Sequence, residues 1–383
     1  MNLKQIDCFT NTIYVWKFLG VWPKPNISFF YRQYSKYFII FIIIIYEFLS
    51  TVNYYFLPKQ LDIFINDMLF YFTNLAVASK ALTLYFEKDK IINIMLVLES
   101  DIFQPDTWRE FKILRDAKKL ITRYRIFVVI ISSICFIIYI LVPLLIHFFL
   151  DVELILPVSS YSFLPDEMIK TYFYFLYCYQ SVGILCHILF NLSTDIFVMG
   201  IMVLAIVQLD ILNINLYNLT MRLGDINKNL HQLIEHYKEV VRFCELIQDV
   251  FSISLFVQVG MSSCVICTAL FRFTQLAPFS YYIFLGGYMT VMVFQIMVPC
   301  WFGTQIMVKS GQLSTALYGC DWTSTSKQFK TSLRIFMSRA NKPLTIVGGK
   351  MFPLSLETFT AIMNSAFSFF TLLRNMQSSE NQK

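Results

Sequence analysis

The sequence predicts an all-α integral membrane protein with seven transmembrane helices, a cytoplasmic amino terminus and an extracellular carboxyl terminus. Hydrophobic residues make up 57% of the 383 residues and charged residues only 15%, whereas an ordinary soluble domain has roughly 45–50% and about 25%. Seven apolar segments are long enough to cross hydrocarbon about 30 Å thick as helices. Lysine and arginine are concentrated on one side of these segments, which sets the orientation.

The seven apolar segments define the expected order of the helices. They cover residues 38–57, 63–86, 126–150, 172–209, 251–270, 279–308 and 351–373. The segments lack the period-2 alternation of membrane barrel strands, so no strands are predicted. The sequence contains no internal repeat or low-complexity linker, and residues 1–383 are therefore expected to form a single transmembrane domain.

The positive charges give the orientation. Of the 31 lysines and arginines, 25 lie in the amino-terminal segment and in the loops on the same side, and five lie on the opposite side. Cytoplasmic loops carry the excess of positive residues. This asymmetry places the amino terminus in the cytoplasm and argues against a G-protein-coupled receptor, whose orientation is the opposite.

The fourth apolar segment is longer than a membrane requires. Its 38 residues would span roughly 57 Å as a helix, well beyond the hydrocarbon thickness. Residues 222–250 and 327–339 have the pattern of amphipathic helices. We expect cytoplasmic extensions of helices 4 to 7, together with these stretches, to form an anchor.

The seventh segment contains a polar stripe. Asn364, Ser368, Thr371 and Asn375 recur at spacings of 4, 3 and 4, which places them on one face of a helix. Such a stripe either hydrogen-bonds to a neighbouring helix or lines water, and the pattern leaves both alternatives open. Leu372 interrupts the polar face and is a candidate hydrophobic constriction that closes a pore by dewetting.

Charged residues inside the segments are candidates for function, because burying a charge in a membrane is costly. For Lys80 and Asp195 the sequence favours structural pairing, although Lys80 could also extend its ammonium to the membrane surface. The complete set is Glu47, Asp67, Lys80, Asp195 and Glu357.

Aromatic residues are frequent in the outer halves of helices two, three, four and six. They are typical of interfacial belts, but also of a pocket that binds a small organic molecule. No metalloprotease, phosphate-loop, dinucleotide or serine-hydrolase motif occurs, and no nucleic-acid-binding fingerprint is present. We therefore expect no enzyme activity, no cofactor, no metal site and no nucleic-acid partner.

The carboxyl-terminal stretch MFPLSLETFTAIMNSAFSFFTLLRNMQ, residues 351–377, resembles the final helix of the insect odorant receptors. The matching features are a Pro-Leu-Ser, an Asn-Ser-Ala-aromatic-Ser and a Leu-Leu. The overall length, the seven spans, the inverted topology, Asp195 in helix four and the run Cys300…Tyr318…Trp322 are also similar. The resemblance implies an odorant-gated, non-selective cation channel in the plasma membrane of a sensory neuron.

Further expectations follow from the same resemblance. Odorant receptors form heterotetramers with the odorant co-receptor, and each seventh helix lines a central pore. The co-receptor has a long insertion between helices four and five that this chain lacks, so the chain looks like a tuning subunit. Gustatory receptors of the same superfamily have Thr-Tyr and Gln-Phe pairs where Ser368-Phe369 and Arg374-Asn375 stand here.

The resemblance also implies two sets of site residues. The pore constriction falls on Leu372, with Asn375 and Met376 beyond it, and the rest of the stripe lines the pore. A small volatile organic ligand would bind in the outer half of the bundle. The ligand-binding candidates are Tyr71, Phe72, Tyr139, Val142, Tyr177, Ser181, Tyr282 and Tyr288.

Two alternatives remain for the function. One is a gustatory-type channel of the same superfamily. The other is a secondary transporter, which would be expected to show inverted repeats and broken helices at the membrane midplane. Gly286-Gly287 and Pro299 are the interruptions in helix six that such a transporter would use.

Overall fold

The computed structural model describes residues 5–22, 28–56, 61–221, 225–274 and 279–380. Side chains are described throughout these ranges except at 61–66, 221, 280, 373 and 376–380. The described residues are almost entirely helical. The helices are α1 Thr10–Phe18, α2 Phe29–Phe56, α3 Leu61–Phe86, α4 Lys88–Glu99, α5 Trp108–Leu150, α6 Asp166–Thr171, α7 Phe173–Tyr217, α8 Ile226–Arg272, α9 Phe279–Tyr318, α10 Lys327–Ala340 and α11 Leu356–Glu380.

The seven predicted spans correspond to α2, α3, α5, α7, α8, α9 and α11, which confirms the predicted fold class. Five of them, α2, α5, α7, α8 and α9, are long and apolar enough to cross a membrane. Helices α3 and α11 have 26 and 25 residues, which is also sufficient length for about 30 Å of hydrocarbon. We call the end of each helix on the predicted cytoplasmic side its inner end.

Several predicted boundaries differ from the structure. Helix α5 begins at Trp108, not at residue 126, because Thr107 and Glu110 form a capping box at its start. The predicted amphipathic stretch 222–250 joins the fifth span: from Ile226 onwards the two form one continuous helix of 47 residues, α8, while residues 222–224 lie outside the described ranges. The change from an amphipathic to an apolar sequence pattern therefore marks the position where the helix enters the predicted membrane span. It does not mark the end of a helix.

A short hairpin precedes α11, so the prediction that the chain has no strands was wrong. Strand β1, Val347–Gly348, pairs antiparallel with β2, Phe352–Pro353. The intervening turn contains Gly349 and Lys350, both with positive φ. The hairpin delays the start of the seventh helix from the predicted residue 351 to Leu356.

The inner ends of α7, α8 and α9 pack with α10 and form the expected anchor. Its core contains the rings of Tyr237 and Phe336, whose centroids are 5.3 Å apart, and several fully buried apolar side chains. The latter include Leu233, Phe243, Leu313, Leu317, Phe329 and Leu333. The seventh span contributes no continuous extension here, because the hairpin and residues 341–346 separate α10 from α11.

Pro299 lies inside α9, yet the helix continues without a break from Phe279 to Tyr318. A proline lacks an N–H and leaves the carbonyl four residues earlier without its helical donor. Gln258 of α8 donates a hydrogen bond of 3.0 Å from Nε2 to this carbonyl, that of Gln295. The interruption predicted at Pro299 is thus repaired by the neighbouring helix, as a membrane interior requires.

Helices α2 and α5 each contain a π-helical turn, at Ile40–Ile45 and Ile137–Leu141. A carbonyl in each turn accepts a hydrogen bond from a tyrosine hydroxyl of α7. Tyr179 donates to the Phe41 carbonyl over 3.2 Å, and Tyr177 donates to the Ile140 carbonyl over 2.7 Å. The tyrosines of α7 therefore supply donors to irregular backbone within the first and third predicted spans.

Candidate functional site

A cavity of about 140 Å³ lies among the outer halves of α3, α5, α7 and α9. It is walled by aromatic and aliphatic side chains, with a few polar groups among them. Its lining consists of Phe70, Thr73, Asn74, Val77, Cys135, Phe136, Tyr139, Val158, Ile184, His187, Ile188, Asn191, Phe284 and Tyr288. An apolar enclosure with a small number of polar groups is the usual form of a small-molecule site.

The aromatic wall is held in place by ring contacts and by hydrogen bonds. The Tyr139 ring stacks on Phe284 with centroids 5.2 Å apart, and the Phe70 and Tyr139 centroids are also 5.2 Å apart. The Tyr139 hydroxyl donates to the Pro157 carbonyl over 2.5 Å. The Tyr288 hydroxyl is hydrogen-bonded to the Thr73 hydroxyl. Because these hydroxyls are occupied, the cavity meets mainly the apolar parts of the rings.

Two buried polar side chains with unused hydrogen-bonding atoms also line the cavity. Asn74 is 8% exposed and His187 is 4% exposed. Asn74 Nδ2 and His187 Nε2 have no hydrogen-bond partner. The nearest carboxylate oxygen of Glu47 is 3.8 Å from His187 Nε2, beyond hydrogen-bond distance. Buried polar atoms without partners are costly, so the wall of the cavity contains two unsatisfied hydrogen-bonding atoms.

Below this cavity, Lys80 and Asp195 form a buried ion pair, which confirms the pairing predicted for both residues. Lys80 Nζ lies 2.5 Å from Asp195 Oδ1 and 2.6 Å from Asn191 Oδ1. The Lys80 side chain is only 2% exposed, so it does not reach the membrane surface. The pair links α3 to α7, and the Asn191 side chain both holds Lys80 and lines the cavity.

Of the eight ligand-binding candidates, the structure places Tyr139 and Tyr288 in the cavity wall. Tyr71 contacts the hydroxyl of Thr51 on α2, and Tyr282 stacks on Phe273. Tyr71 and Tyr282 are not part of the cavity lining, and neither are the remaining four candidates. They are Phe72, Val142, Tyr177 and Ser181.

The lining residues missed by the sequence analysis include Phe70, Asn74, His187 and Phe284. The sequence does contain a pattern that indicates the lining residues of α3. These residues follow the spacing of one helical face and are Phe70, Thr73, Asn74 and Val77. Choosing aromatic residues by type selected Tyr71 and Phe72, which occupy adjacent faces. No pattern in the sequence shows that His187 faces the same space.

Helix α11 packs on the rest of the chain through one face and exposes the opposite one. Ala366, 1% exposed, lies in an apolar cluster with residues of α3, α8 and α9. Asn364 and Ser368, on the opposite side, are exposed, and Leu372 is 54% exposed. Phe369 is also exposed, at 60%.

The remaining residues of the stripe are less exposed or only partly described. Thr371 is half-buried, and its hydroxyl donates to the Ser368 carbonyl over 2.7 Å. The Ser368 hydroxyl donates to the Asn364 carbonyl over 2.9 Å. Asn375 is exposed, and the side chain of Met376 lies outside the described residues. Hydroxyls bonded to their own helix need no neighbouring helix as a partner.

Comparison with known proteins identifies the family of the chain. Residues 60–367 match the family model described as 7tm Odorant receptor. Odorant receptor 67c of Drosophila melanogaster is 30% identical over 146 residues, which cover 38% of this chain and 36% of that protein. The odorant receptor coreceptor of Aedes aegypti is 26% identical over 141 residues, or 37% of this chain and 30% of that protein. The aligned stretches thus span well under half of each relative.

Solved structures show the same fold over nearly the whole chain. The insect olfactory receptor OR5 from Machilis hrabei in complex with eugenol superimposes with a TM-score of 0.81 at 15% identity, covering 96% of this chain and 97% of that chain. The structure described without eugenol gives 0.80 at 18% identity, covering 95% and 96%. These relatives are receptors, which confirms the expectation that the chain is not an enzyme. The family match, together with the helical bundle that encloses the cavity, shows that the chain belongs to the insect 7tm odorant receptor family.

Proposed function

We propose that the chain is the odorant-binding, tuning subunit of a ligand-gated, non-selective cation channel in the plasma membrane of a sensory neuron. The observation that carries this proposal is the two-faced α11, which packs on its subunit near Ala366 and exposes Asn364 and Ser368 on the other side. In an assembly of several subunits, such faces can enclose a wet pore. Matches to odorant co-receptors support a heterotetramer with the co-receptor.

The cavity indicates the kind of ligand. Its rings favour a small, neutral, largely apolar molecule, and Asn74 and His187 can hydrogen-bond to one polar group on it. The relative of known structure was determined with eugenol, and for this chain we propose a volatile organic compound of similar size. A ligand that fits the cavity better in the open state shifts the equilibrium towards opening by the difference in its affinities.

If the cavity is the ligand site, the Phe284 side chain should affect the sensitivity to ligand, whereas the side chain of Tyr282, two residues away, should not. Phe284→Ala removes a ring that stacks on Tyr139, and losing an aromatic contact of about 1–2 kcal/mol should raise the half-maximal ligand concentration roughly 5- to 30-fold. Tyr282→Ala should leave it nearly unchanged. The half-maximal ligand concentrations of the two variants are measured from dose–response currents in cells that also express a co-receptor. Equal effects of the two variants would remove the cavity from consideration as the ligand site.

The gate assignment predicts a change in resting current. A ring of leucines can expel water from a narrow pore, and an ion that sheds its hydration shell without replacement ligands meets a large barrier. Leu372→Ser should re-wet this region and raise the ligand-free current several-fold, whereas Leu372→Ile should leave the pore closed. The comparison requires matched surface expression. Unchanged resting current and ion selectivity in Leu372→Ser would assign Leu372 to packing.

Expression with and without a co-receptor tests the function as a whole. Ligand-evoked cation current that needs the co-receptor is expected. A gustatory-type channel would conduct without that partner. The secondary-transporter alternative loses its structural motivation, because α9 is continuous through Pro299; substrate uptake without channel current would restore it.

A further inference from the structure

A second, larger recess lies towards the inner half of the bundle and adjoins the outer cavity, with which it shares the lining residues Phe136 and Ile188. It has a volume of about 540 Å³ and opens between α1, α5 and α7. Its lining consists of Asn11, Thr12, Val15, Arg125, Ile126, Val129, Ser132, Ser133, Phe136, Ile137, Leu185, Ile188, Leu189, Leu192, Ser193 and Ile196. We call this recess the inner groove.

The inner groove changes from polar to apolar along its length. Asn11, Thr12 and Arg125 lie at its inner end, where α1 contacts α7 and Cys8, just before α1, contacts α5. Towards the membrane centre its walls become largely aliphatic and aromatic, apart from Ser132, Ser133 and Ser193, and they end at Ile137 and Leu185. The twelve steps along the helix from Arg125 to Ile137 correspond to a rise of roughly 18 Å. The groove therefore has the dimensions and polarity of an amphiphile with one extended hydrocarbon chain.

The polar end contains hydrogen-bonding capacity that the chain does not use. Thr12 is 3% exposed, and its hydroxyl oxygen has no hydrogen-bond partner. Arg125 Nη1 lies 3.4 Å from the Cys8 carbonyl, and a guanidinium has five N–H donors in total. Among the residues described, no ion pair involves Arg125. A buried hydroxyl and a guanidinium without a counter-ion favour an anionic group here.

The surroundings identify the source of this anion. Helix α5 faces outwards along its membrane stretch, with only 6% of its most apolar 18 residues buried, so lipid chains reach the groove directly. The positive-residue distribution puts Arg125 at the cytoplasmic leaflet, which carries the anionic lipids. Bidentate binding of phosphate is a favoured role of arginine.

We propose that the inner groove binds an acidic phospholipid of the cytoplasmic leaflet, with its phosphate at Arg125 and Thr12 and one acyl chain between α5 and α7. The proposal does not depend on the identity of the ligand in the outer cavity. A bound lipid would hold α1 against the bundle, because Asn11, Thr12 and Val15 form one wall of the groove.

Native mass spectrometry of the purified full-length receptor tests the proposal. The receptor is stripped of lipid in detergent and then titrated separately with palmitoyl-oleoyl-phosphatidylglycerol, palmitoyl-oleoyl-phosphatidylcholine and cholesterol. We expect retention of at least one phosphatidylglycerol, about 5-fold or more over phosphatidylcholine. Arg125→Gln should remove this preference. Val129→Trp, which fills the groove, should reduce binding of both phospholipids.

The matched control is Arg123→Gln, a neutralisation on the same helix at an exposed residue outside the groove lining. It should keep the wild-type preference. Arg125→Lys keeps the charge and should keep most of the preference even if Arg125→Gln fails to fold. Equal loss in Arg123→Gln and Arg125→Gln, no effect of Val129→Trp, or cholesterol binding that exceeds phosphatidylglycerol binding would overturn the proposal.

Discussion

Replacing Lys80 with methionine is expected to destabilise the receptor by about 3–5 kcal/mol, because it leaves the Asp195 carboxylate buried without its counter-ion. Lys80 Nζ lies 2.5 Å from this carboxylate, and the lysine side chain is 2% exposed. The second carboxylate oxygen, Oδ2, already has no hydrogen-bond partner. Loss of the ammonium would therefore leave the charge with little compensation, and most of the receptor should fail to reach the surface.

The thermal midpoint of detergent-solubilised receptor, followed by size-exclusion fluorescence, measures this effect. Lys90→Met is the matched control, because the ion pairs of Lys90 with Glu87 and Asp249 involve exposed side chains and are worth at most about 1 kcal/mol. The double variant Lys80→Met, Asp195→Asn should recover a large part of the loss, since it removes both charges. If Lys80→Met is as stable as Lys90→Met, the buried pair does not contribute as argued.

A second large effect is expected at Gly303, where α9 meets the segment that leads into α11. A Cβ at this position would lie 2.2 Å from the Leu354 carbonyl oxygen and 2.9 Å from Leu354 Cβ. The Leu354 backbone cannot easily move, since its N–H donates to the Ile346 carbonyl over 2.8 Å. The N–H of the nearby Leu356 donates to the Thr304 hydroxyl over 2.9 Å. Both hydrogen bonds fix the start of α11.

Gly303→Ala should therefore cost about 3 kcal/mol of stability and displace α11, so that ligand-evoked current falls even among receptors that reach the surface. Gly287→Ala in the same helix is the control, since a Cβ there meets nothing within 4 Å. It should be neutral or slightly stabilising, because alanine is the better helix former. The test compares the thermal midpoints of the two variants and their ligand-evoked currents at matched surface expression. A Gly303→Ala receptor with normal stability and current would show that the close contact is readily relieved.

Membrane helices were predictable from the sequence because hydrocarbon demands long apolar helical runs and leaves few alternatives. The same rule does not locate helix ends that lie outside the predicted spans. Helix α5 begins with a capping box at Thr107, and α8 begins after its N-cap residue Asp225. The hairpin before α11 was also missed. Two-residue strands contain too few residues to show any alternation.

The candidate sites were predictable to different degrees for a related reason. The stripe on α11 belongs to one helix, so its spacing shows which residues share a face. The outer cavity combines residues from four helices and one loop, and the relative rotation of the helices depends on packing that no local pattern records. Hence the predicted candidates Tyr139 and Tyr288 lie in the cavity wall, whereas the presence of buried His187 and Asn74 in the same wall is visible only in the structure. The Lys80–Asp195 pair was foreseeable because two opposite charges in a membrane interior have few other ways to be compensated.

The repaired proline in α9 has a mechanical consequence. At Pro299 the stiffness of the helix depends on a hydrogen bond from Gln258 of another helix, since the bond along the chain is missing. The outer arm beyond this point has about 20 residues and a length of roughly 30 Å, and it carries Phe284 and Tyr288, whereas the inner arm is held in the anchor. Bending by about 5° at Pro299 would move the tip of the outer arm by roughly 2.6 Å. That displacement is close to the diameter of a water molecule, about 2.8 Å, so a small bend at Pro299 suffices to open or close a gap in the wall of the outer cavity.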